Sequence, residues 1–389
     1  MRKTKKILFE FFKEIHYWVY CLINHLVPKD KKRIFIYDSS FLRQNCWALV
    51  NYLSANGYTN KYKVYYFSNR TFISNLDGDI KNNVFFVSSF FQGWWNHLRS
   101  KYTFYEYDNN KFCSSSANGQ INFNLWHGMP LKRIGYLSNR RFLHKPSRDF
   151  NYVLAISPLF ADVMKKCFKC KEEQIYIGGN PRNDYLLHKS NTYSFFNCKD
   201  VKAVWMPTFR KSTLNSFEDS SCVFPILNKQ NIKSFNSFLE KNHIKILIKL
   251  HPFQDKIDWL FSNDYSNIKA IFNSDLFKEK IELYELLRDA DTLITDYSSV
   301  YMDYLLIDKP IIFAFDDFND YKNTRGFVFD RIEDFLPGDV VHDLNGLEKS
   351  LLSSDTLEHR NKRKEINNVF NSCKSDFCYN LLSFVGIEK

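Results

Sequence analysis

Hydrophobic positions recur at two different periods along this chain, and the change falls near residue 33. Upstream, Ile7, Leu8, Phe11, Phe12, Ile15, Trp18, Val19, Leu22, Ile23 and Leu26 lie at helical spacing and make one apolar stripe. Glu10, Lys13, Glu14, Asn24 and His25 interrupt the run, so it does not read as a membrane span of ~20 apolar residues. Acids inside the segment, and no small-residue cleavage site after it, argue against a secretory signal. From Arg33 onward the pattern becomes alternating strand and helix. Short β-rich runs appear at 34–37, 62–67, 84–87, 102–107, 121–125, 152–156 and 175–177, with helix-like stretches at 41–55 and 90–98. The polar stretch 188–200 reads as a linker. A second series follows, with strands at 203–206, 244–250, 268–272, 292–295 and 311–315 and helices near 279–289 and 298–307. Strands bounded by turns and alternating with helices predict parallel sheets covered on both faces. Two such halves joined by a linker predict a cleft, with ligands outside the carboxyl ends of the strands.

This organisation suggests four parts: an amphipathic helix over 1–30, a Rossmann-like domain over 31–187, a second over 200–345, and a helical segment over 346–389. The length of 389 residues suffices for two full hydrophobic cores. Charge then changes the picture at the N-terminus. Residues 1–33 carry nine Lys/Arg against three acids, a net +6 within the whole chain's +11. Basic clusters at Arg2–Lys6 and Lys29–Arg33 beside an apolar stripe with Trp18 predict an interfacial helix on an anionic membrane; the alternative is a helix packed on protein. The remainder is only mildly basic, which argues against a nucleic-acid surface. The 38 Phe and 23 Tyr point to no function. Nine scattered cysteines fit reduced thiols, and a zinc site would require Cys167-x-x-Cys170 to meet Cys373 and Cys378, which nothing in their flanks suggests.

Several polar clusters directly follow expected strands. The run Trp126-His127-Gly128-Met129-Pro130 places His127 at a strand end, on a turn that Gly128 permits and Pro130 stiffens. That suits a general base near neutral pH, though a histidine satisfied within the core is the plainer account of the residue alone. Lys249, Leu250 and His251 end another strand. Lys249 and His251 would share a face, where two cationic or proton-donating groups suit a pyrophosphate. Asp296-Tyr297-Ser298-Ser299 turns from a strand into a helix start, whose amides and hydroxyls suit an anion, with Asp303 one turn on to accept a ribose or alcohol hydroxyl. Ordinary capping explains the same residues. Gly178–Asp184 offers Arg182 as a phosphate clamp, and Met206–Arg210 offers Arg210. No GxxxxGK[ST] is present.

Taken in order, these segments resemble the CDP-glycerol glycerophosphotransferase family, which includes the primases and polymerases of wall teichoic acid. The family's Trp-His-Gly-Thr-Pro-Leu-Lys run appears as Trp126–Lys132, its Gly-x-Pro-Arg-Asn-Asp block as Gly179–Asp184, and its Pro-Thr-x-Arg block as Pro207–Arg210. His251-Pro252, Thr295–Asp303, Asp308-Lys309-Pro310 and Arg325-Gly326-Phe327 continue the series. The likeness is good over about 120–335 and general before that. Met129 stands where the family usually has Thr, and Trp205-Met206 where Tyr-Ala is common.

The resemblance implies an α/β, GT-B-like fold with two Rossmann-like domains facing across a cleft. It implies His127 as base and His251 as support for the donor diphosphate. Trp126, Gly128, Met129, Pro130, Arg182, Pro207, Thr208, Arg210, Lys249, Leu250, Asp296, Ser298, Ser299 and Asp303 would bind substrate. The expected reaction moves glycerol phosphate from CDP-glycerol to a lipid-linked glycan or teichoic-acid-type acceptor, releasing CMP, at the cytoplasmic membrane face. No cofactor, no metal and no nucleic-acid partner are expected, because cationic side chains and a helix start can neutralise the diphosphate. CDP-ribitol as donor, a sugar-nucleotide glycosyltransferase, and a membrane-bound nucleotide-binding scaffold are the rivals.

Overall fold

The computed structural model describes residues 18–38, 44–69, 78–107, 112, 117–138, 150–188, 200–208, 211–212, 217–218, 224–251, 254–261, 265–353 and 355–389. Most of the expected linker, the first 17 residues and Arg210 lie outside them. The chain divides into two compact units. One comprises Met1–His127, His144–Arg182 and Asp376–Lys389, and the other Gly128–Leu143 and Asn183–Ser375.

The first unit is built on strands β1 (Asp30–Tyr37), β2 (Lys63–Phe67), β3 (Phe85–Val87), β4 (Ser100–Tyr105), β5 (Ile121–Asn124), β6 (Tyr152–Ala155) and β7 (Ile175–Ile177). All pair in parallel, in the order β3-β2-β1-β4-β5-β6-β7. Ile34, Phe35 and Ile36 are wholly buried in succession, as expected for a strand covered on both faces. The order reverses direction between β1 and β4, so the crevice at a doubly wound sheet's switch point lies beyond Tyr37 and Tyr105. The last helix, Phe377–Phe384, returns to this unit. Its Phe377 packs where a Cβ on Gly179 would come within 2.0 Å of the ring, so that position admits only glycine.

The N-terminal stripe is helical over residues 18–26. One face packs inward through Tyr20, Cys21 and Asn24. Tyr20 hydrogen-bonds His97, which burial holds neutral by lowering its pKa to about 3, and Asn24 donates to Gln120 at 2.9 Å. The Lys29–Arg33 cluster is not wholly available to lipid as expected. Lys29 Nζ donates inward to Asn24 and to the Leu98 carbonyl, and Arg33 is buried against Asn96 and the Tyr65 ring. Lys31 and Lys32 remain exposed.

The second unit carries β8 (Val201–Met206), a short antiparallel pair β9 (Lys211–Ser212) and β10 (Phe217–Glu218), then β11 (Ile244–Lys249), β12 (Ile268–Ile271), β13 (Thr292–Thr295), β14 (Ile311–Ala314) and β15 (Asp339–Val341). Six of these form a parallel sheet in the order β12-β11-β8-β13-β14-β15. This repeats the first sheet's winding, with its switch point between β8 and β13. Ala203, Trp205, Ile246, Ile248, Ile294 and Ile312 sit in its core, each isoleucine contributing ~1.5–3 kcal/mol. Trp205, one of the departures from the family pattern, is fully buried and packs on Phe224.

Candidate active site

In the first unit, His127 stands at the carboxyl end of β5, beside the switch point. Asn124 starts the turn: its Oδ1 accepts from Trp126 N at 2.9 Å, and its Nδ2 donates to Tyr107 O at 3.4 Å. Trp126 then takes a left-handed backbone (φ 50°) and Gly128 a φ of 119°. The His127 imidazole lies 3.8 Å from the Tyr107 ring, nearly parallel at 15°, and 4.1 Å from the Trp126 ring. Arg182, 4% exposed, donates through Nη1 to the His127 carbonyl at 3.0 Å and to Gln44 Oε1 at 2.6 Å. Asn45, which opens the helix Asn45–Ala55, accepts from Arg182 N and donates to the Trp126 carbonyl at 3.1 Å. Behind these lie Asp38 and Glu106, both fully buried at the ends of β1 and β4. Burial, then repulsion from Asp38, pushes the Glu106 carboxyl up to about 8, against the Cys46 N–H and Arg182, which favour its ionised form. Tyr66 donates to Asp38 Oδ2 at 2.7 Å.

In the second unit, the switch point is closed by Asp296, whose carboxylate accepts from Thr208 N at 2.9 Å and from Thr208 Oγ1 at 2.5 Å. Tyr297 is buried in an aromatic stack with Tyr321 and Phe315 and donates to Asp317. Ser298 and Ser299 are partly exposed, and Ser298 Oγ accepts from Val300 N at 3.4 Å. The helix that follows is short, Val300–Tyr304, and continues as a 3-10 turn to Ile307. Lys249 is buried and donates to the Leu250 carbonyl. Desolvation lowers its pKa to about 7, and lowers that of His251 to about 3, with Lys249 and Lys132 adding repulsion at the histidine. Lys132 pairs with Phe327 in an antiparallel bridge, so the end of the Trp126–Lys132 run lies along the Arg325-Gly326-Phe327 block.

Several of the expected site residues have protein partners of their own. Arg182 was expected to clamp a phosphate. Instead it is buried, and its guanidinium braces the His127 carbonyl and Gln44. Asp303 was expected to accept from a substrate hydroxyl, yet it is 1% exposed and accepts from Tyr284 Oη at 2.6 Å and Asn183 Nδ2 at 3.0 Å. Asp296 likewise acts as a strut for Thr208. Met129 and Leu250 are each 1% exposed, so their side chains serve the core. Asp308 and Lys309 have structural partners: Arg363 Nε donates to Asp308, and Lys309 Nζ donates to the carbonyls of Arg288 and Ala290 at the end of the helix Leu283–Asp289. Five residues that sequence reasoning missed surround His127: Asp38, Gln44, Asn45, Glu106 and Tyr107. None belongs to a recognisable motif, and only their placement after β1 and β4 signals them.

Two parallel sheets, each wound outward from its first strand, are the architecture of the GT-B-like class. The chain belongs to the CDP-Glycerol:Poly(glycerophosphate) glycerophosphotransferase family, whose pattern it matches over residues 19–376. It is 32% identical to the teichoic acid glycerol-phosphate primase of Bacillus subtilis (strain 168) over 212 residues, covering 54% of this chain and 50% of that protein. It is 28% identical to the teichoic acid ribitol-phosphate primase of Bacillus spizizenii (strain ATCC 23059 / NRRL B-14472 / W23) over 244 residues, covering 57% and 58%. The chain thus spans between half and two thirds of these relatives' lengths. The wall teichoic acid polymerase TagF shares the fold, with a TM-score of 0.74 at 20% identity, covering 99% of this chain and 95% of that one.

Proposed function

We propose that this protein transfers glycerol phosphate from CDP-glycerol to a hydroxyl of a membrane-linked cell-surface glycan or teichoic-acid-type acceptor, releasing CMP. The observation that carries this reading is the bracing of the His127 turn from three separate segments beside a sheet's switch point, an arrangement that fixes an imidazole as a proton acceptor needs to be fixed. Family membership and a TagF variant structure obtained after a soak with CDPG support the donor class. In the proposed reaction the acceptor hydroxyl gives its proton to His127, its oxygen bonds to the phosphorus bearing glycerol, and the bond from that phosphorus to the CMP oxygen breaks. Desolvation lowers the pKa of both Lys249 and His251, a diphosphate's counter-charge favours their protonated forms, and Ser298 and Ser299 donate hydroxyls to it. Incubation with CDP-glycerol, CDP-ribitol and UDP-sugars plus a lipid-linked acceptor tests the reading. CMP release with CDP-glycerol is expected, while UDP release with a sugar donor overturns it. CDP-ribitol is the second reading, because ribitol-phosphate primases are among the relatives.

We place the protein at the cytoplasmic membrane face as a peripheral enzyme. No helix among the described residues is long and apolar enough to cross a membrane. Two adjoining helices, 18–26 and Phe90–Arg99, pack through Tyr20 against Trp94 and His97, and both leave large apolar side chains in solvent. Trp18 is 69% exposed, Leu22 63%, Leu26 73% and Phe91 79%, with Arg99 over the exposed Trp95 ring. Sedimentation with anionic vesicles should fall for a Trp18→Ala/Leu22→Ala/Phe91→Ala variant; unchanged sedimentation contradicts the placement.

A further inference from the structure

Adjacent strands β4 and β5 both exit through a left-handed non-glycine residue, Tyr107 at φ 59° and Trp126 at φ 50°. That conformation costs a bulky L residue about 1–2 kcal/mol and persists where the surroundings impose it, often at functional sites. Asn124 imposes it on both, holding Trp126 N with its oxygen and the Tyr107 carbonyl with its nitrogen. The result lays the Tyr107 ring on the His127 imidazole. The Tyr107 hydroxyl faces the Gln44 side chain. Gln44 accepts in turn from the Arg182 Nη1 that donates to the His127 carbonyl. Phenol ring, Gln44, Arg182 and the His127 backbone therefore lie together around the imidazole.

We propose that Tyr107 is a positioning residue for this transfer, its ring fixing the plane of the His127 imidazole so that a ring nitrogen meets the acceptor hydroxyl. This rests on His127 being the base. A base must lie within hydrogen-bond reach of the proton it removes, and a rotation about its side-chain torsions swings the nitrogen away. The stacked phenol restricts that rotation and shields one imidazole face from water. Gln44 faces the phenol and Arg182 holds the His127 backbone, so ring and base share one frame.

The test compares Tyr107→Ala, Tyr107→Asn and Tyr107→Phe with His127→Ala in the full chain, measuring kcat, donor KM and thermal midpoint with CDP-glycerol and a lipid-linked acceptor. Asn is included because it tolerates left-handed backbone while removing the ring. Ala and Asn should lower kcat about 10- to 100-fold, as expected for a misaligned catalytic group, with donor KM unchanged. Phe, which keeps the stacked ring, should recover most of that loss. Wild-type kcat in Ala and Asn, or a Phe variant as impaired as Ala, overturns the inference. So does an Asn variant whose thermal midpoint falls together with kcat, since the ring would then serve the fold. Inactive His127→Ala beside unaffected Tyr107 variants sinks this inference alone, whereas full turnover by His127→Ala removes the underlying base assignment.

Discussion

The His127 turn and the Asp296–Ser299 turn both follow strand ends near a sheet's switch point, yet they hold different groups in place. In the Asp296 turn, partners elsewhere in the second unit hold the first two residues and leave the serines outermost. Asp296 straps Thr208, Tyr297 fills an aromatic stack, and Ser298 accepts from the Val300 amide two residues on. What it presents outward is a pair of partly exposed hydroxyls. In the His127 turn, Asn45 and Arg182 hold the backbone while Tyr107 lies against the imidazole itself. Hydroxyls left outermost can turn toward whatever oxygen arrives. A ring held on one face keeps its direction, and that suits a side chain that must be aligned for proton transfer.

This contrast predicts a graded series. His127→Ala should abolish transfer while leaving donor affinity intact, and His251→Ala should lose both; wild-type turnover in either removes that residue from the mechanism. Next come the two buried braces. Arg182→Met and Asp296→Ala each strand buried partners and should cost about 1–3 kcal/mol in urea unfolding. The Arg182 variant should additionally lower kcat at saturating donor, and the Asp296 variant should mainly weaken donor binding. Equal effects on kcat and donor affinity in both would erase the distinction between the turns.

A smaller effect should appear with pH. The folded pKa of Glu106, about 8, lies above its ordinary value of 4.5, so the folded protein retains a proton that the unfolded chain releases between those values. The carboxyl therefore favours folding below about pH 4.5, and that contribution is lost as pH rises through 8. Glu106→Gln carries no such term. Its stability relative to wild type should climb between about pH 5 and 8, by at most ~1.4 kcal/mol per pH unit. A difference that stays flat over that window contradicts the buried, proton-holding carboxyl. The smallest effect expected is none: a chelator should leave the rate unchanged, and a loss restored by Mg²⁺ would refute metal-independent transfer.

The strands were largely legible in the sequence because apolar runs bounded by turns leave few alternatives; β1 through β8 and β11 through β14 begin and end within a few residues of the expected positions. The edge strand β15 was missed. It is three residues long, and its docking depends on Gly338, where a Cβ would sit 1.9 Å from the Ile311 carbonyl, a close approach that no local pattern signals. The return of Phe377–Phe384 to the first unit was equally invisible, since it depends on packing against Gly179, which lies nearly two hundred residues earlier. At the candidate site, His127 and the Asp296 turn could be found because each sits inside a motif. Gln44, Glu106 and Tyr107 could not, because they act through contacts with segments far away in sequence. Arg182, Asp296 and Asp303 were legible as charged residues inside motifs; that each is buried with protein partners was not, because those partners lie in other segments.

The most direct test of the central claim follows phosphorus from donor to product. With CDP-glycerol and a lipid-linked acceptor, phosphorus NMR and nucleotide analysis should show one CMP released for each new glycerol phosphodiester on the acceptor, with neither forming in His127→Ala although that variant still binds donor. Release of a nucleoside diphosphate, CMP formed without the phosphodiester, or product from His127→Ala would contradict the account.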